Sequence, residues 1–444
     1  KLNKGLLNLP SASSSSIALL QELLHVDYQQ HHCFWTESGL HNHLSHHLLS
    51  AHNLGAPSSL LQTIFNNEVG MQQPLRKTGH EGLSKHRGTH TFELDHVSYP
   101  EYLDFFSLQI STVGVPQVIQ QYIFAASANG NGTMMLIRLV SGLMHPFIQL
   151  GYGIEFGQDF MVAQGLAQAA VTAPGGMSVF EMPQAMPSLS HPVTSLSLLE
   201  LLHEAYESPH LVPVMPYDSG ALMVQRLRDW MSDPKRAAEI RRIYSKWTIN
   251  LAGGEEEINN KVRECVVQAT LLLASTGKPG RELRADFFLM HYLTGALFLP
   301  TVIKSLDNMT VPLLMSYTDF PGPNLPATAH ASAFGNPDAA MDSNPWLAIV
   351  KNALHHPEPH VPKAICALHY AAQQYGHAGA GDLVTSFDAT GAEIHLGLTQ
   401  LDGTVFARAA GFISNALGWV IAGQEGVDWD RSGLGWEEAW ASSD

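Results

Sequence analysis

Charged residues are scarce in this chain of 444 residues, since Asp, Glu, Lys and Arg together make up only 14% of it. Globular proteins usually carry about 25%. Because 45% of the residues are hydrophobic, the shortage indicates a large buried core rather than disorder. Basic residues are the scarcer kind, with 24 Lys and Arg against 40 Asp and Glu, a formal net charge of −16. Such a chain attracts phosphate backbones poorly, so we expect no nucleic-acid partner.

Cysteine and long apolar runs are also scarce. Cys33, Cys265 and Cys366 lie far apart and form no Cys-x-x-Cys pair, so the sequence predicts neither a disulfide framework nor a thiolate zinc site. No run approaches the roughly 18 consecutive apolar residues of a membrane span, and the serine-rich stretch 11–16 lacks the apolar core of a signal peptide. We therefore expect a cytoplasmic chain in a reducing compartment, with no membrane partner. Since the sequence begins at Lys1 rather than at a methionine, we also expect the chain to be trimmed.

Apolar residues recur with the period of an α-helix along most of the chain. Serines, prolines and glycines stand where helices usually begin and end. The sequence predicts helices over 17–24, 41–54, from 99 onward, 134–156 with a bend at Pro146, 196–207, 219–230, 237–252, 255–275, 284–299, 348–355, 362–375 and 405–421. Strand-like alternation is rare, and 394–398 is one weak candidate. The prediction is an all-α protein.

Long irregular segments interrupt these helices. No stretch has the composition of a linker, so we treat 1–444 as one large helical domain. Residues 173–194 are rich in Pro, Gly, Ser and Met, and residues 317–345 hold five prolines. Loops longer than about 15 residues often cover or form binding sites. The two segments are therefore our candidates for lids.

Histidine, in contrast, is abundant: its 24 copies equal those of Lys and Arg combined. Imidazole is the commonest metal ligand in proteins. Seven histidines fall within 31–52, and His43, His46 and His47 share one face of the predicted helix by their spacing of three and four. That spacing suits two metal ligands, or one ligand and a supporting residue. A polar helix surface is the commoner role for any one of them.

Two further histidines stand alone in apolar segments. His145 shares a predicted helix face with Gln149 and Tyr152, and His291 lies in one of the most apolar predicted helices. A buried imidazole needs a hydrogen bond or a metal, and a hydrogen bond is the commoner solution for a single core histidine.

The last motif combines a histidine with a lysine, His360 and Lys363, each directly after a proline of the kind typical of a helix start. In a first turn the ammonium group opposes the helix dipole, by a few tenths to about 1 kcal/mol when exposed. A carbamate formed with CO₂ would turn this repulsion into attraction, and burial lowers the pKa of lysines in the way that reaction requires. A surface lysine whose stem covers apolar groups is the alternative.

Together these motifs resemble those of the questin oxidase-like family. Its members are fungal enzymes of anthraquinone and xanthone pathways, including proteins named Baeyer–Villiger oxidases. The residues that carry the resemblance are His41-Asn42-His43-Leu44-Ser45-His46-His47-Leu48-Leu49 with Leu54-Gly55-Ala56, His145-Pro146 with Leu150-Gly151-Tyr152-Gly153-Ile154-Glu155, Asp286-Phe287-Phe288-Leu289-Met290-His291, and His360-Val361-Pro362-Lys363-Ala364. Their order along most of the chain is more specific than any single motif.

The resemblance implies a mostly helical, non-haem iron dioxygenase that uses O₂ to cleave the central ring of an anthraquinone-type polyketide in fungal secondary metabolism. It implies Fe(II) in the helical core, bound by His43, His145, His291, His360 and a carboxylated Lys363. Imidazoles suit iron, and a carbamate oxygen would supply a hard anionic ligand. Five such ligands would leave one octahedral position for O₂, water or substrate. A separate reductase would supply reduced substrate from NADPH.

Two positions bear on this ligand set, one as a departure from the family and one as an alternative ligand. Family members often have a histidine where this chain has Gln149, and we expect Gln149 to hydrogen-bond beside the ligands rather than bind metal. His47, one turn after His43, is the alternative first ligand.

Three other functions stay open. The first is an NADPH-linked Baeyer–Villiger-type monooxygenase on the same substrates, although the Gly-x-Gly at 130–132 lacks the third glycine and the strand–turn–helix context of a dinucleotide site. The second is a metal hydrolase with a carbamylated lysine, suggested by the His-x-His at 41–43, although that pattern usually lies on a barrel strand. The third is a helical binding protein without activity.

Overall fold

The computed structural model describes residues 2–7, 9, 13–36, 39–76, 98–175, 195–278, 280–306 and 344–441. In these ranges the regular elements are helices, and extended segments pair only through isolated bridges. The predicted all-α fold class is confirmed. None of the described helices combines the length and the apolar character that crossing a membrane requires.

The α-helices of the described ranges are mostly short and are separated by turns. In chain order they are α1 (Ser14–Gln30), α2 (Leu44–Asn53), α3 (Ser58–Glu68), α4 (Tyr99–Val113), α5 (Val115–Ile119), α6 (Ala126–Asn129), α7 (Met135–Val140), α8 (His145–Glu155), α9 (Asp159–Val171), α10 (Leu198–Glu207), α11 (Met223–Met231), α12 (Pro234–Tyr244), α13 (Gly254–Ala274), α14 (Phe287–Ala296), α15 (Leu299–Ile303), α16 (Pro345–His355), α17 (His360–Tyr375) and α18 (Val405–Leu417). Short 3₁₀ helices cover Val69–Met71, Leu251–Gly253, Leu398–Gln400 and Glu437–Trp440, and Gln120–Phe124 is a π-helix.

The chain divides into two compact units. Unit 1 comprises Lys1–Gly175 and Phe298–Thr318, and unit 2 comprises Gly176–Leu297 and Asp319–Asp444. The treatment of 1–444 as one domain stays a prediction. The predicted lids fall almost entirely on 176–194 and 317–343, which lie outside the described residues.

Unit 1 is built around α8, which packs along α9. Glycines permit this close approach: a Cβ atom on Gly165 would lie 2.7 Å from the backbone nitrogen of Leu150. A Cβ atom on Gly153 would likewise lie 2.6 Å from the backbone nitrogen of Val162. Two helices whose backbones nearly touch leave no room for water, so α8 holds its side chains in a dry core.

Unit 2 packs α14 against α13 and α17, and α17 also packs against α16 and α18. Asp286 caps α14, since its Oδ1 accepts hydrogen bonds from the backbone N–H groups of Phe288 at 2.8 Å and Leu289 at 3.0 Å. Burial raises the pKa of Asp286 to about 6. Helices α14 and α17 carry His291 and His360, so their packing positions two of the predicted ligands.

Several predicted helix boundaries are wrong for identifiable reasons. The predicted helix 134–156 is broken into α7 and α8, because Gly142, Leu143 and Met144 all have positive φ angles of 57°, 55° and 61°. Pro146 therefore lies in the first turn of α8 rather than at a bend. The predicted helix 284–299 likewise ends at Ala296.

The helix predicted over 41–54 begins only at Leu44. The Oδ1 of Asn42 accepts a hydrogen bond from the backbone N–H of Leu44 at 2.8 Å, so residues 41–43 precede the helix. The objection that a helical His-x-His does not suit a metal hydrolase therefore no longer applies. The weak strand candidate 394–398 is also wrong, and helices α3 and α9 are missing from the sequence prediction.

Candidate metal centre

His43 and His145 face each other in unit 1. The Nε2 atom of His43 lies 2.7 Å from the Nε2 atom of His145. Two nitrogens that each bind a metal at about 2.1 Å and at right angles lie roughly 3 Å apart. The pair therefore has the spacing of two adjacent ligands of one metal ion. His145 is 3% exposed, and His43 is half-buried.

The left-handed turn before α8 fixes the protonation of His145. The Nδ1–H of His145 donates to the carbonyl oxygen of Gly142 at 2.6 Å, so in the neutral form of the ring the lone pair lies on Nε2. The ring of His41 stacks on His145, with 4.1 Å between centroids and 4° between planes. Only glycine suits position 142, because φ is positive there and a Cβ atom would lie 3.0 Å from the His41 ring.

Hydrogen bonds before α2 hold the backbone at His43. The side-chain amide of Asn42 donates to the Oδ1 of Asp27 at 2.9 Å, while its oxygen accepts from Leu44 as described above. Asp27 is buried and also accepts from the Nδ1–H of His31 at 2.9 Å. A buried carboxylate with two donors anchors the segment that presents His43.

Helices α2 and α8 run alongside each other through a ladder of buried polar contacts. Its rungs join His43 to His145, His46 to Gln149 at 2.7 Å, Ser50 to Tyr152 at 2.5 Å and Asn53 to Glu155 at 3.5 Å. The spacing predicted from the sequence for His145, Gln149 and Tyr152 does place them on one face of α8, and that face contacts α2. The ladder fixes the register of the two helices.

The last two histidines of the 41–47 motif, His46 and His47, have other partners. The Nε2–H of His46 donates to the Oε1 of Gln149, whose Nε2 donates to Gln164 at 3.0 Å. His47 donates from Nδ1 to the carboxylate of Glu68, in α3. Of the two alternatives for the first ligand, His43 contacts His145 and His47 contacts Glu68, so the geometry favours His43.

His291 and His360 form a second pair, in unit 2. Their ring centroids lie 5.0 Å apart, and one ring nitrogen of each lies within 4.8 Å of one of the other. Both are buried, and His291 is fully so. The ring of Phe287 lies against both, with centroid distances of 4.8 Å and 5.1 Å. This pair also has a spacing that one metal ion can bridge.

The protonation of this second pair is also fixed. The Nδ1–H of His291 donates to the carbonyl oxygen of Phe287 at 2.8 Å. The Nδ1–H of His360 donates to the Oε1 of Glu358 at 2.6 Å. In the neutral form, each ring therefore carries its lone pair on Nε2, as in the carboxylate–histidine–metal arrangements of known metal sites.

Glu358 is a site residue that the sequence reasoning missed. Burial raises its pKa above the ordinary value, and the charge of Lys363 and a hydrogen bond from Trp429 oppose that rise. The signal in the sequence was a carboxylate two residues before a candidate ligand, in Glu358-Pro359-His360.

Lys363 is the fourth residue of α17 and is 1% exposed. Its place in the first helical turn is as predicted, and the alternative of a surface lysine is wrong. A buried position in the first turn of a helix disfavours the charged ammonium form of a lysine. Within each unit, the paired imidazoles are donors that suit a transition metal such as iron.

Known proteins are similar to this chain over about two thirds of its length. The chain is 28% identical over 307 residues to "Baeyer-Villiger monooxygenase dmxR6" of Cryptosporiopsis sp., covering 68% of this chain and 67% of the relative. It is 28% identical over 306 residues to "Baeyer-Villiger oxidase AgnL3" of Paecilomyces divaricatus, covering 68% and 65%. It is 29% identical over 288 residues to "Questin oxidase" of Aspergillus fumigatus, covering 64% and 63%.

These alignments span about two thirds of each relative's length. The profile of questin oxidase-like proteins matches residues 40–368, which include both histidine pairs and Lys363. The chain therefore belongs to the questin oxidase-like family.

Proposed function

We propose that this protein is an Fe(II)-dependent dioxygenase that opens the central ring of an anthraquinone-type polyketide in fungal secondary metabolism. The observation that carries the proposal is the fixed tautomers of His145, His291 and His360, each of which donates Nδ1–H to an oxygen and so presents Nε2 as a ligand atom. The names of the relatives support oxidation of questin-like substrates.

In this proposal one iron ion is bound by His43, His145, His291, His360 and the carboxylated side chain of Lys363. The donor types support it, since imidazoles and one hard anionic oxygen form a ligand set typical of non-haem iron. Such an ion would supply the one-electron chemistry by which O₂ reacts with an organic molecule.

The residues around the ligands hold and shield them. Stacking by His41 keeps the His145 ring from rotating, and Phe287 excludes water from one side of His291 and His360. A buried, dry site strengthens every electrostatic contact within it. These residues prepare the site for a flat, apolar substrate.

In this proposal the substrate is the hydroquinone form of the anthraquinone, because hydroquinone and O₂ together contain all the atoms of the ring-opened product. An NADPH-dependent reductase would supply the hydroquinone. One ring carbon–carbon bond breaks, and both atoms of O₂ enter the product, one in a new carboxyl group and one in a new phenol hydroxyl. The two hydrogens of the hydroquinone stay in the product, so no further reductant is consumed.

An isotope experiment tests this function. Iron-loaded protein is given chemically reduced questin under ¹⁸O₂, and the ring-opened product is analysed by mass spectrometry. We expect two ¹⁸O atoms per product and no turnover without O₂ or after removal of iron. Full activity of the iron-free protein would contradict the metal's role.

A second candidate is the NADPH-linked Baeyer–Villiger-type monooxygenase, favoured by the names of two relatives given above. It would place one ¹⁸O atom in the product and the other in water, and would consume one NADPH per turnover. A metal hydrolase would incorporate no ¹⁸O from O₂. The labelling count thus separates the three reactions.

A further inference from the structure

We infer that three consecutive residues, Trp429, Asp430 and Arg431, position the His291–His360 pair and thereby control how tightly the protein holds its metal. They lie beyond residue 368, where the family match ends. The inference rests on the proposed function for its metal, but the contacts from which it is argued all join residues of unit 2. We call residues 429–431 the positioning segment.

Trp429 acts on His360 through Glu358. The indole N–H of Trp429, which is 2% exposed, donates to the Oε2 of Glu358 at 2.5 Å. The other oxygen of the same carboxylate accepts from the Nδ1–H of His360 at 2.6 Å, and Oε2 also accepts from the His360 backbone N–H at 3.1 Å. Because the indole fixes the rotation of the carboxylate, it also fixes the direction in which His360 presents Nε2.

Asp430 acts on the helix that carries His291. The backbone N–H of Phe287 donates to the carbonyl oxygen of Asp430 at 2.8 Å, and the backbone N–H of Asp430 donates to the carbonyl oxygen of Ala285 at 2.8 Å. These two bonds lie on either side of Asp286, the cap of α14. The side chain of Asp430 is itself held by an ion pair with Arg284 at 2.6 Å. The segment thus sets where α14 begins.

Arg431 acts on the ring that lies against both histidines. Its guanidinium carbon lies 4.1 Å from the centroid of the Phe287 ring. A cation over an aromatic face attracts it. The ring of Phe287 therefore contacts Arg431 as well as both imidazoles.

Each of the three residues supports a different part of the same pair: the carboxylate behind His360, the start of the His291 helix, and the ring that contacts both. Partners of metal-binding histidines orient the ring and raise its basicity, and their loss usually weakens metal binding about 10- to 100-fold. Trp429 is one step further from the metal, so we expect an effect near the lower end of that range.

Trp429→Phe tests the segment, because it removes the indole N–H and keeps an aromatic ring. We expect the Kd for Fe(II), measured anaerobically, to rise about tenfold. Trp436→Phe is the matched control: it removes an indole N–H that donates to the carbonyl oxygen of Val214 at 3.1 Å, away from both histidines. The control should bind Fe(II) as the parent protein does, and equal weakening in both variants would overturn the inference.

A double-mutant cycle with Glu358→Gln tests the route. If Trp429 acts through Glu358, adding Trp429→Phe to Glu358→Gln should weaken Fe(II) binding by less than it does in the parent protein. Additive losses would overturn the route.

A readout without metal separates this inference from the proposed function. In ¹⁵N-histidine-labelled, metal-free protein, Trp429→Phe should shift the Nδ1–H resonance of His360, identified by its loss in His360→Ala, and Trp436→Phe should not. Parent protein that binds no Fe(II) would refute the proposed function, whereas an unshifted resonance would refute the positioning segment.

Discussion

At the scale of single residues, the environment of Glu155 opposes its ionisation. Burial raises the pKa of Glu155 to about 7 from 4.5, although hydrogen bonds from the backbone N–H of Leu6 and the amide of Asn53 lower it. Its second oxygen, Oε2, has no hydrogen-bond partner in the described ranges. Burial therefore favours the neutral form of this carboxyl group, which lies at the end of the polar ladder between α2 and α8.

This pKa makes stability depend on pH. The folded chain holds the Glu155 proton more tightly than the unfolded chain, so the free energy of unfolding falls as pH rises from about 4.5 to about 7. A shift of this size corresponds to a loss of about 3 kcal/mol. We expect Glu155→Gln to be more stable than the parent protein at pH 8, by up to about 3 kcal/mol, with the difference narrowing toward pH 5.

Urea unfolding at several pH values measures this difference. Glu256→Gln is the control, since it makes the same change of charge at an exposed position of α13. A constant difference between Glu155→Gln and the parent protein from pH 5 to pH 8 would contradict the raised pKa.

Lys363 is the residue on which the ligand set depends most. We expect Lys363→Ala to lose iron and to lower turnover by at least about 100-fold, because it removes the only anionic ligand in the set. Lys261→Ala is the control: Lys261 is also buried in unit 2, but its ammonium group contacts Ser195 and Glu264.

The carbamate gives this prediction a second readout. Protein kept free of CO₂ should bind iron weakly, and bicarbonate should restore binding in the parent protein but not in Lys363→Ala. Unchanged iron content in Lys363→Ala would remove Lys363 from the ligand set.

The residue scale is also where sequence reasoning succeeded and failed most clearly. His145, His291 and Lys363 were predicted to be buried or in a first helical turn, because their apolar neighbours and flanking prolines are visible in the sequence. Glu358 and Trp429 were missed, because the contact between them joins residues 71 positions apart and leaves no local pattern.

At the scale of elements, the break between α7 and α8 decides how His145 is presented. Leu143 and Met144 adopt left-handed φ angles that cost non-glycine residues roughly 1–2 kcal/mol each. The sequence gives no sign of this cost, since the apolar periodicity of 134–156 continues through the break. The turn is maintained by the local hydrogen bond from His145 to Gly142 and by the ring of His41, which stacks on His145.

The contact between α8 and α9 is the second decisive element. We expect Gly165→Ala to destabilise the protein by about 1–3 kcal/mol, because its Cβ atom would lie 2.7 Å from the backbone of Leu150. Since α8 also carries His145, iron affinity should fall as well. Thermal unfolding and iron titration measure the two effects.

Gly411→Ala is the matched control. Gly411 lies inside α18, and among the described residues no atom beyond its chain neighbours and the backbone of its own helix lies within 4 Å of a Cβ placed there. Alanine should therefore stabilise that helix by about 0.5–1 kcal/mol. If both substitutions changed stability in the same direction, close backbone packing of α8 and α9 would not be the cause.

At the scale of the whole molecule, the proposed ligands are distributed over both units. His43 and His145 belong to unit 1, and His291, His360 and Lys363 belong to unit 2. Helical class could be predicted from periodicity along the chain. The division into units could not, because α15 follows α14 in the sequence, yet Leu299–Ile303 belongs to unit 1 and Phe287–Ala296 to unit 2.

The number of iron ions bound per chain tests the ligand set as a whole, and we expect one. If a single iron is bound by all five residues, His43→Ala and His291→Ala should each weaken Fe(II) binding and lower bound iron below one equivalent, because each variant removes one ligand of the same ion. If each pair held its own ion, the parent protein would bind two equivalents and each variant would keep one. His25→Ala, an exposed histidine of α1, is the control and should keep the full equivalent. Elemental analysis of the purified proteins gives the count, and a full equivalent retained in either ligand variant would remove that histidine from the ligand set.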